Sequence, residues 1–154
     1  MNYKYTYEMP IGPLVICEEE DKITEIYLTN SDNNKEIEEK ETPLIKLVKE
    51  QLIDYFNGER KKFDFPINMK GTEFQVKVWE ALMTIPFGET CSYKEIATKI
   101  GNPKASRAVG MANNKNPLLI VVPCHRVIGT NGSLVGYACG LHVKENLLRL
   151  EGRI

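Results

Sequence analysis

The sequence predicts an α+β protein with a small sheet-plus-helix domain over residues 1–70 and a mainly helical domain over residues 71–154. Three observations carry that reading. Aromatic and β-branched runs cluster in the first 30 positions, and one helical apolar pattern follows them. Beyond residue 70 the punctuation changes to helix-start signals, two of them capping boxes. Charge divides at the same point: residues 1–70 hold 15 acids and 10 bases, a net of −5, whereas residues 71–154 hold 6 acids and 10 bases, a net of +4. A basic second half is suited to a polyanionic partner.

Residues 3–9 (YKYTYEM), 13–18 (PLVICE) and 22–29 (KITEIYLT) read as short antiparallel strands, separated by Pro-Ile-Gly-Pro and by the acidic turn EEEDK. Residues 30–42 are polar and read as a loop. Pro43 opens an amphipathic helix in which Leu44, Leu47, Val48, Leu52, Tyr55 and Phe56 recur at helical spacing, and Gly58 stops it. Residues 63–70 (FDFPINMK) read as an extended piece and a linker. This half holds no metal cluster or phosphate loop, and its expected role is structural.

Thr72-Glu-Phe-Gln75 is a capping box that starts a helix with Phe74, Val78, Ala81 and Leu82 on one face. Ile-Pro-Phe-Gly-Glu breaks it at 85–89. Ser92-Tyr-Lys-Glu95 starts a second, short helix ending at Gly101. Asn102 is expected to cap a third helix, with Pro103 at its first position, running through KASRAVGMANN. The apolar run LLIVV (118–122) reads as a buried strand ending at Pro123.

Composition is that of a globular chain, 42% hydrophobic and 27% charged. No run is long enough to span a membrane, and no apolar core follows a basic start at the N-terminus, so a cytoplasmic location is expected. The four cysteines, Cys17, Cys91, Cys124 and Cys139, have no Cys-x-x-Cys spacing and read as free thiols.

Two features point to chemistry. The helix pair 93–100 and 103–114 has helix-turn-helix proportions. Its second member carries the small residues Ala105, Ser106, Ala108, Gly110 and Ala112 around Arg107. Small side chains serve tight helix packing, and they equally let a helix approach a narrow minor groove with one arginine reaching in. Lys104, Arg107 and Lys115 favour the second reading. At the tip of LLIVV stand Cys124 and His125. A thiol with its usual pKa of about 8.5 is mostly protonated at neutral pH and needs a base to attack carbon. Neighbours in a strand face opposite ways, so the pair needs a turn, which Pro123 and Gly129 allow. A bare Cys-His pair also suits a structural cysteine beside a solvent-side histidine. Cys124, His125, Cys139 and His142 form a candidate zinc set, but adjacent ligands lack the usual spacer.

The run PCHRVIG, preceded by GNPKASRAVGMANNKNP and followed by GSLVGYACG and KENLLRLEG, resembles the O6-alkylguanine-DNA alkyltransferases (methylated-DNA–protein-cysteine methyltransferases). GTEFQVKVWEAL and IPFGETCSYKEIA are similar to that family too, and the resemblance is dense over residues 71–152. It implies a winged helix-turn-helix-like second domain and an irreversible, single-turnover transfer of a methyl or other alkyl group from O6 of guanine in double-stranded DNA, with O4 of thymine as a second candidate. It implies Cys124 as acceptor, His125 as its base through a water, Glu151 holding the histidine's other nitrogen, Asn116 bracing the loop before Cys124, and Tyr93 at the 3′ phosphate and as proton donor to the leaving base. Arg107 would replace the flipped base in the stack. Ser92, Tyr93, Lys104, Ala108, Gly110 and Lys115 would complete the DNA surface. Tyr137, Ala138, Cys139, Val127 and Met111 would line the pocket, and backbone carbonyls near Cys124 and Val127 would read the exocyclic amine. No metal or organic cofactor and a monomer are implied. The first 70 residues lack His and hold one Cys, so the zinc site of some relatives is not expected. Relatives usually place serine or glycine, then glycine, where Ala138 and Cys139 stand, which implies poor acceptance of bulky adducts. The rival readings are an alkylguanine-binding helix-turn-helix protein without transfer activity, and a cysteine hydrolase using Cys124 and His125.

Overall fold

In the computed structural model, which describes residues 2–29, 37–129, 132 and 140–153, the β-branched and aromatic runs form three strands. They are β1 (Asn2–Met9), β2 (Gly12–Glu19) and β3 (Lys22–Leu28), each antiparallel to the next, with Tyr5 opposite Ile16 and Ile16 opposite Ile26. A fourth strand of two residues, β4 (Glu38–Glu39), lies within the segment read as a loop. It runs parallel to β1, and Lys40 N–H donates to Lys4 O at 3.0 Å, giving the order β3-β2-β1-β4. Glutamates are poor strand formers, and the open backbone groups of an edge strand outweigh that preference here.

The helix read from residue 43 is α1 (Pro43–Phe56). Thr42 caps it, accepting from Ile45 N–H at 3.0 Å, while its hydroxyl donates to the buried carboxylate of Glu18 on β2. Ile45, Val48, Leu52 and Tyr55 are buried at helical spacing and close the core of this unit with Leu14, Ile16, Ile23 and Ile26. The chain divides into two compact units, Met1–Met69 and Lys70–Ile154.

In the second unit α2 (Glu73–Leu82) starts from a reciprocal capping box. Gln75 N–H donates to Thr72 Oγ1 at 3.1 Å, and Thr72 N–H to Gln75 Oε1 at 2.9 Å. Trp79, buried on the same helix, donates its indole N–H to Ala112 O at 2.9 Å, which ties α2 to α4 (Ser106–Asn114). A side chain at Gly71 would meet that indole at 2.5 Å, so only glycine fits there. A two-residue strand, β5 (Cys91–Ser92), leads into α3 (Tyr93–Lys99) and pairs in parallel with β6 (Val127–Ile128); α5 (Leu141–Leu150) follows. The architecture is α+β. Among the described residues no helix is long and apolar enough to cross a membrane.

Two further elements differ from the sequence reading. Helix α4 begins at Ser106, not at Pro103, and Asn102 is not its cap. Ala105 N–H returns to Asn102 O at 3.0 Å, closing a turn with Pro103 at its second position. The fixed φ of proline suits that position as well as a first helical turn. The run LLIVV is a tight turn rather than a strand: Val121 N–H donates to Leu119 O and Val122 N–H to Leu118 O, both at 2.9 Å. Its residues are apolar because the turn itself is buried, and an apolar run of this length does not distinguish the two. Ile120 sits at φ 73°, a left-handed conformation that costs a β-branched residue energy and persists only when packing imposes it.

Replacing Thr72 by Ala removes the bond from Gln75 N–H to the threonine hydroxyl, keeps the backbone N–H that donates to Gln75 Oε1, and should destabilise the protein by about 1 kcal/mol. The lone tryptophan, on the helix so capped, reports the change as a lower urea midpoint in fluorescence. A midpoint equal to wild type would mean the cap carries no stability.

Candidate active site

The buried turn at 118–122 delivers the chain to Pro123, and the next three residues form one turn of 3₁₀ helix, Cys124–Arg126. Cys124 N–H donates to Val122 O at 2.8 Å, Arg126 N–H to Pro123 O at 3.0 Å, and Val127 N–H to Cys124 O. At three residues per turn the side chains of Cys124, His125 and Arg126 leave the axis in three directions, which an extended strand would not allow. All three are buried, Cys124 at 3% exposure and His125 at 0%.

Asn116 locks the approach to this turn. Its Nδ2 donates to Val122 O at 2.7 Å and to Cys124 Sγ at 3.1 Å, while its Oδ1 accepts from Leu118 N–H at 2.9 Å. The same carboxamide therefore shapes the turn and offers a donor to charge developing on sulfur. Asn113, at the buried end of α4, points its Nδ2 at Cys124 O from 3.4 Å.

Glu151 is fixed by the end of α5. Gly152, at φ 79°, sends its N–H to Arg149 O at 3.0 Å, and Arg153 N–H reaches Leu148 O at 2.9 Å. This is the pair of bonds that ends a helix with a left-handed glycine, and it leaves Glu151 as the C-cap. The Glu151 carboxylate accepts from His125 Nε2 at 2.7 Å, from Arg126 Nε at 2.8 Å and Nη2 at 2.9 Å, and from Gly88 N–H at 3.4 Å. Arg126 Nη1 donates to Ile85 O at 2.7 Å, and its guanidinium lies 5.9 Å from the Phe87 ring centre. A carboxylate only accepts, so His125 carries its proton on Nε2, and Nδ1 is the unprotonated atom of the neutral ring. Nδ1 is buried and has no protein partner among the described residues. Burial pulls the histidine's proton affinity below the usual value; the Glu151 bond and charge oppose this, and the charges of Arg126 and Lys144 add to it. The ring is thus neutral and able to accept a proton.

Lys144 of α5 is fully buried and donates to Val127 O, and burial lowers its ammonium to about 8, opposed by the charge of Cys124. Tyr93, at the start of α3, is half-buried. Its phenol is pushed up, first by burial and then by Cys124, so it remains a proton donor. The ring faces Gly110, where an added Cβ would lie 3.7 Å from it. Ser92 is spent on capping, accepting from Glu95 N–H at 3.0 Å. On α4, Arg107, Ala108 and Met111 share one exposed face, with Lys104 and Lys115 exposed at its two ends, while Val109, Ala112 and Asn113 share the buried one. Met111, assigned to the pocket by the resemblance, is 66% exposed; the side chain of this helix that reaches Cys124 is Asn113. Four residues separate Met111 from Arg107, which puts both on the outer face. Val127 is buried. Tyr137, Ala138 and Cys139 lie outside the described residues.

The sequence reading missed Arg126, Lys144 and Asn113. Arg126 could have been suspected, since a charge adjoining a buried Cys-His pair needs a counter-charge. Nothing in sequence singled out the other two.

Two family models cover almost the whole chain: the ribonuclease-like domain of 6-O-methylguanine DNA methyltransferase over residues 2–69, and the DNA binding domain of the same family over residues 73–153. The chain is 51% identical to a constitutive methylated-DNA–protein-cysteine methyltransferase of Bacillus subtilis, across 98% of this chain and 96% of the relative. It is 50% identical to a methylated-DNA–protein-cysteine methyltransferase of Methanosarcina acetivorans, across 97% and 98%. The fold is similar to that of Mycobacterium tuberculosis OGT crystallised in complex with DNA, with a TM-score of 0.92 and 44% identity over 97% of this chain and 92% of that one.

Glu151→Gln keeps the size of the side chain and leaves the buried guanidinium of Arg126 without its counter-charge. It should destabilise the protein by about 3–5 kcal/mol, read as a large fall in urea midpoint; a loss within about 0.5 kcal/mol would contradict the clamp. His125 gives a pH dependence of determined sign. The unfolded chain binds the histidine proton near pH ~6.5 and the folded chain binds it less readily. Stability therefore falls as pH drops through the window below about 6.5. In His125→Gln that contribution is absent, so its urea midpoint should fall less than that of wild type between about pH 7.5 and about pH 5.5.

Proposed function

The chain belongs to the 6-O-methylguanine DNA methyltransferase family, and on that premise we propose that it repairs double-stranded DNA by moving the alkyl group on O6 of a guanine to Cys124, once per protein molecule. The observation that carries the assignment to Cys124 is the buried array in which Asn116 donates to its sulfur while Glu151 and Arg126 fix the neighbouring His125.

An adduct inside a duplex is out of reach of a buried thiol, so the base must leave the stack. The outer face of α4, with small residues around the exposed Arg107, suits close approach to the minor groove, and Arg107 fills the space the base leaves. Lys104 and Lys115 supply phosphate contacts, which position without reading sequence. Once the base is in the pocket, His125 Nδ1 takes the Cys124 proton through a bridging water, and Glu151 stabilises the imidazolium. The sulfur forms a bond to the alkyl carbon as the bond from that carbon to O6 breaks, and the electron pair departs on the guanine. Tyr93 protonates the departing base and regains a proton, through solvent, from the His125 imidazolium, so that in sum the thiol proton ends on guanine, both side chains are neutral again and the protein keeps a thioether. The thioether is stable, and among the described residues no group in the site is suited to remove it, which makes the reaction stoichiometric.

In this reading residues 71–154 bind DNA and accept the alkyl group, residues 1–70 have a structural role, the working form is a monomer, and the compartment is the reducing cytoplasm.

Exposure to a duplex containing O6-methylguanine should add one methyl to the intact protein, at Cys124, as read by mass spectrometry with peptide mapping. Cys124→Ala should gain none while still binding the duplex. Methyl on another residue would overturn the assignment, and binding without any transfer in wild type would identify a recognition module instead. Arg107→Ala should slow repair of the duplex by at least about tenfold and leave transfer from the free modified base near wild type. Equal losses on both substrates would show that the arginine supports the fold.

A further inference from the structure

Met111 is 66% exposed, more than any other large apolar side chain among the described residues. A lone exposed methionine needs no explanation in itself, but its position does. Along α4 and its flanks the exposed residues are Lys104, Arg107, Ala108, Met111, Asn114 and Lys115. They recur every three or four positions and so form one stripe. Met111 stands in the middle of it, four residues from Arg107 and four from Lys115, and is the one large apolar group on it.

The charges around it select what covers it. Every charged residue on the stripe is a cation, and no acidic residue occurs between Glu95 and Glu145. A polyanion therefore fits this face better than an apolar or acidic protein surface. An α-helix with its side chains is about 10–12 Å across, whereas the minor groove of B-DNA is about 6 Å wide. Such a helix can lie over the groove, and only its long side chains reach the floor. Ala108 lets the backbone come close, and Arg107 and Met111 are long enough to reach in. Their spacing along the helix axis is about 6 Å, close to two base steps of about 3.4 Å. Methionine is unbranched and adapts to irregular walls, and the deoxyribose walls of the groove are largely apolar.

We propose that Met111 is a DNA-binding residue, an apolar wedge that enters the minor groove beside Arg107 and packs against sugars and base edges about two steps from the flipped nucleotide. The proposal rests on the DNA-binding part of the reading given above and adds a contact of a different kind to it. Lys104 and Lys115 hold phosphates by charge, and Arg107 fills the vacated stack. Met111 gains by leaving water, so its share of the affinity does not depend on counterion release.

The test measures binding of wild type, Met111→Ala, Met111→Leu and Lys115→Ala to an unmodified duplex across a series of salt concentrations, with the urea midpoint of each protein alongside. Met111→Ala should bind about tenfold more weakly, with the wild-type slope of log affinity against log salt and an unchanged urea midpoint. Met111→Leu, which keeps an apolar side chain of similar volume, should recover most of that loss. Lys115→Ala should differ in kind, losing affinity and flattening the slope by about one. Met111→Ala binding as well as wild type would overturn the proposal, and tighter binding would do so by showing that the methionine holds the helix off the groove. A flattened slope in Met111→Ala, a urea midpoint that falls with the affinity, or Met111→Leu as weak as Met111→Ala would overturn it too. Wild type that binds the duplex in this way but takes up no methyl from one containing O6-methylguanine would overturn the alkyl-transfer reading alone.

Discussion

The Glu151 carboxylate, held by two bonds from Arg126 and one from His125, is the interaction on which the acceptor site depends. An isolated buried carboxylate would cost several kcal/mol, and so would an isolated guanidinium. Each is tolerable only because the other is present in hydrogen-bonded register. The pair cannot be read as a gain in stability, since an apolar pair of similar volume could do as well. What it supplies is direction: a fixed acceptor on Nε2 of His125 and hence a defined Nδ1. The helix ending at Gly152 makes that acceptor immobile, and the short turn Cys124–Arg126 places three neighbouring side chains on three different tasks.

A second constraint runs through α4. Its outer face exposes Arg107, Ala108 and Met111, while its inner end carries Asn113, with Asn116 just beyond it, against Cys124. Trp79 adds a bond from α2 to Ala112 on the same inner face. A rigid helix of nine residues thus separates the surface available to a polyanion from the nucleophile by its own diameter. The exposure of Met111 beside Arg107 follows from the same helical geometry.

What was legible in the sequence was local. The three strands have tight turns and suitable residue types, and both capping boxes join residues three apart, Thr72 to Gln75 and Ser92 to Glu95. The failures are also physical. Pro103 satisfies a turn as well as a helix start, and an apolar run such as LLIVV marks burial without marking shape. β4 forms because β1 offers an edge, which its own residues do not announce. In the site, Cys124 and His125 adjoin in sequence, but the pairing of His125 with Glu151 was legible only through the family resemblance. No spacing rule joins residues 26 apart. Arg126 and Lys144 went unread because a charged residue is expected at the surface, and only the folded chain shows what pairs with it when it is buried.

The tautomer of His125 is the most direct test of this account. Nitrogen-15 NMR of protein labelled in histidine at neutral pH distinguishes a protonated ring nitrogen from a bare one. Nε2 should carry the proton and Nδ1 should have the shift of an unprotonated, pyridine-like nitrogen, and in Glu151→Gln that bias should weaken. A proton on Nδ1, or an imidazolium at neutral pH in wild type, would contradict the claim that Glu151 holds His125 as the base for Cys124.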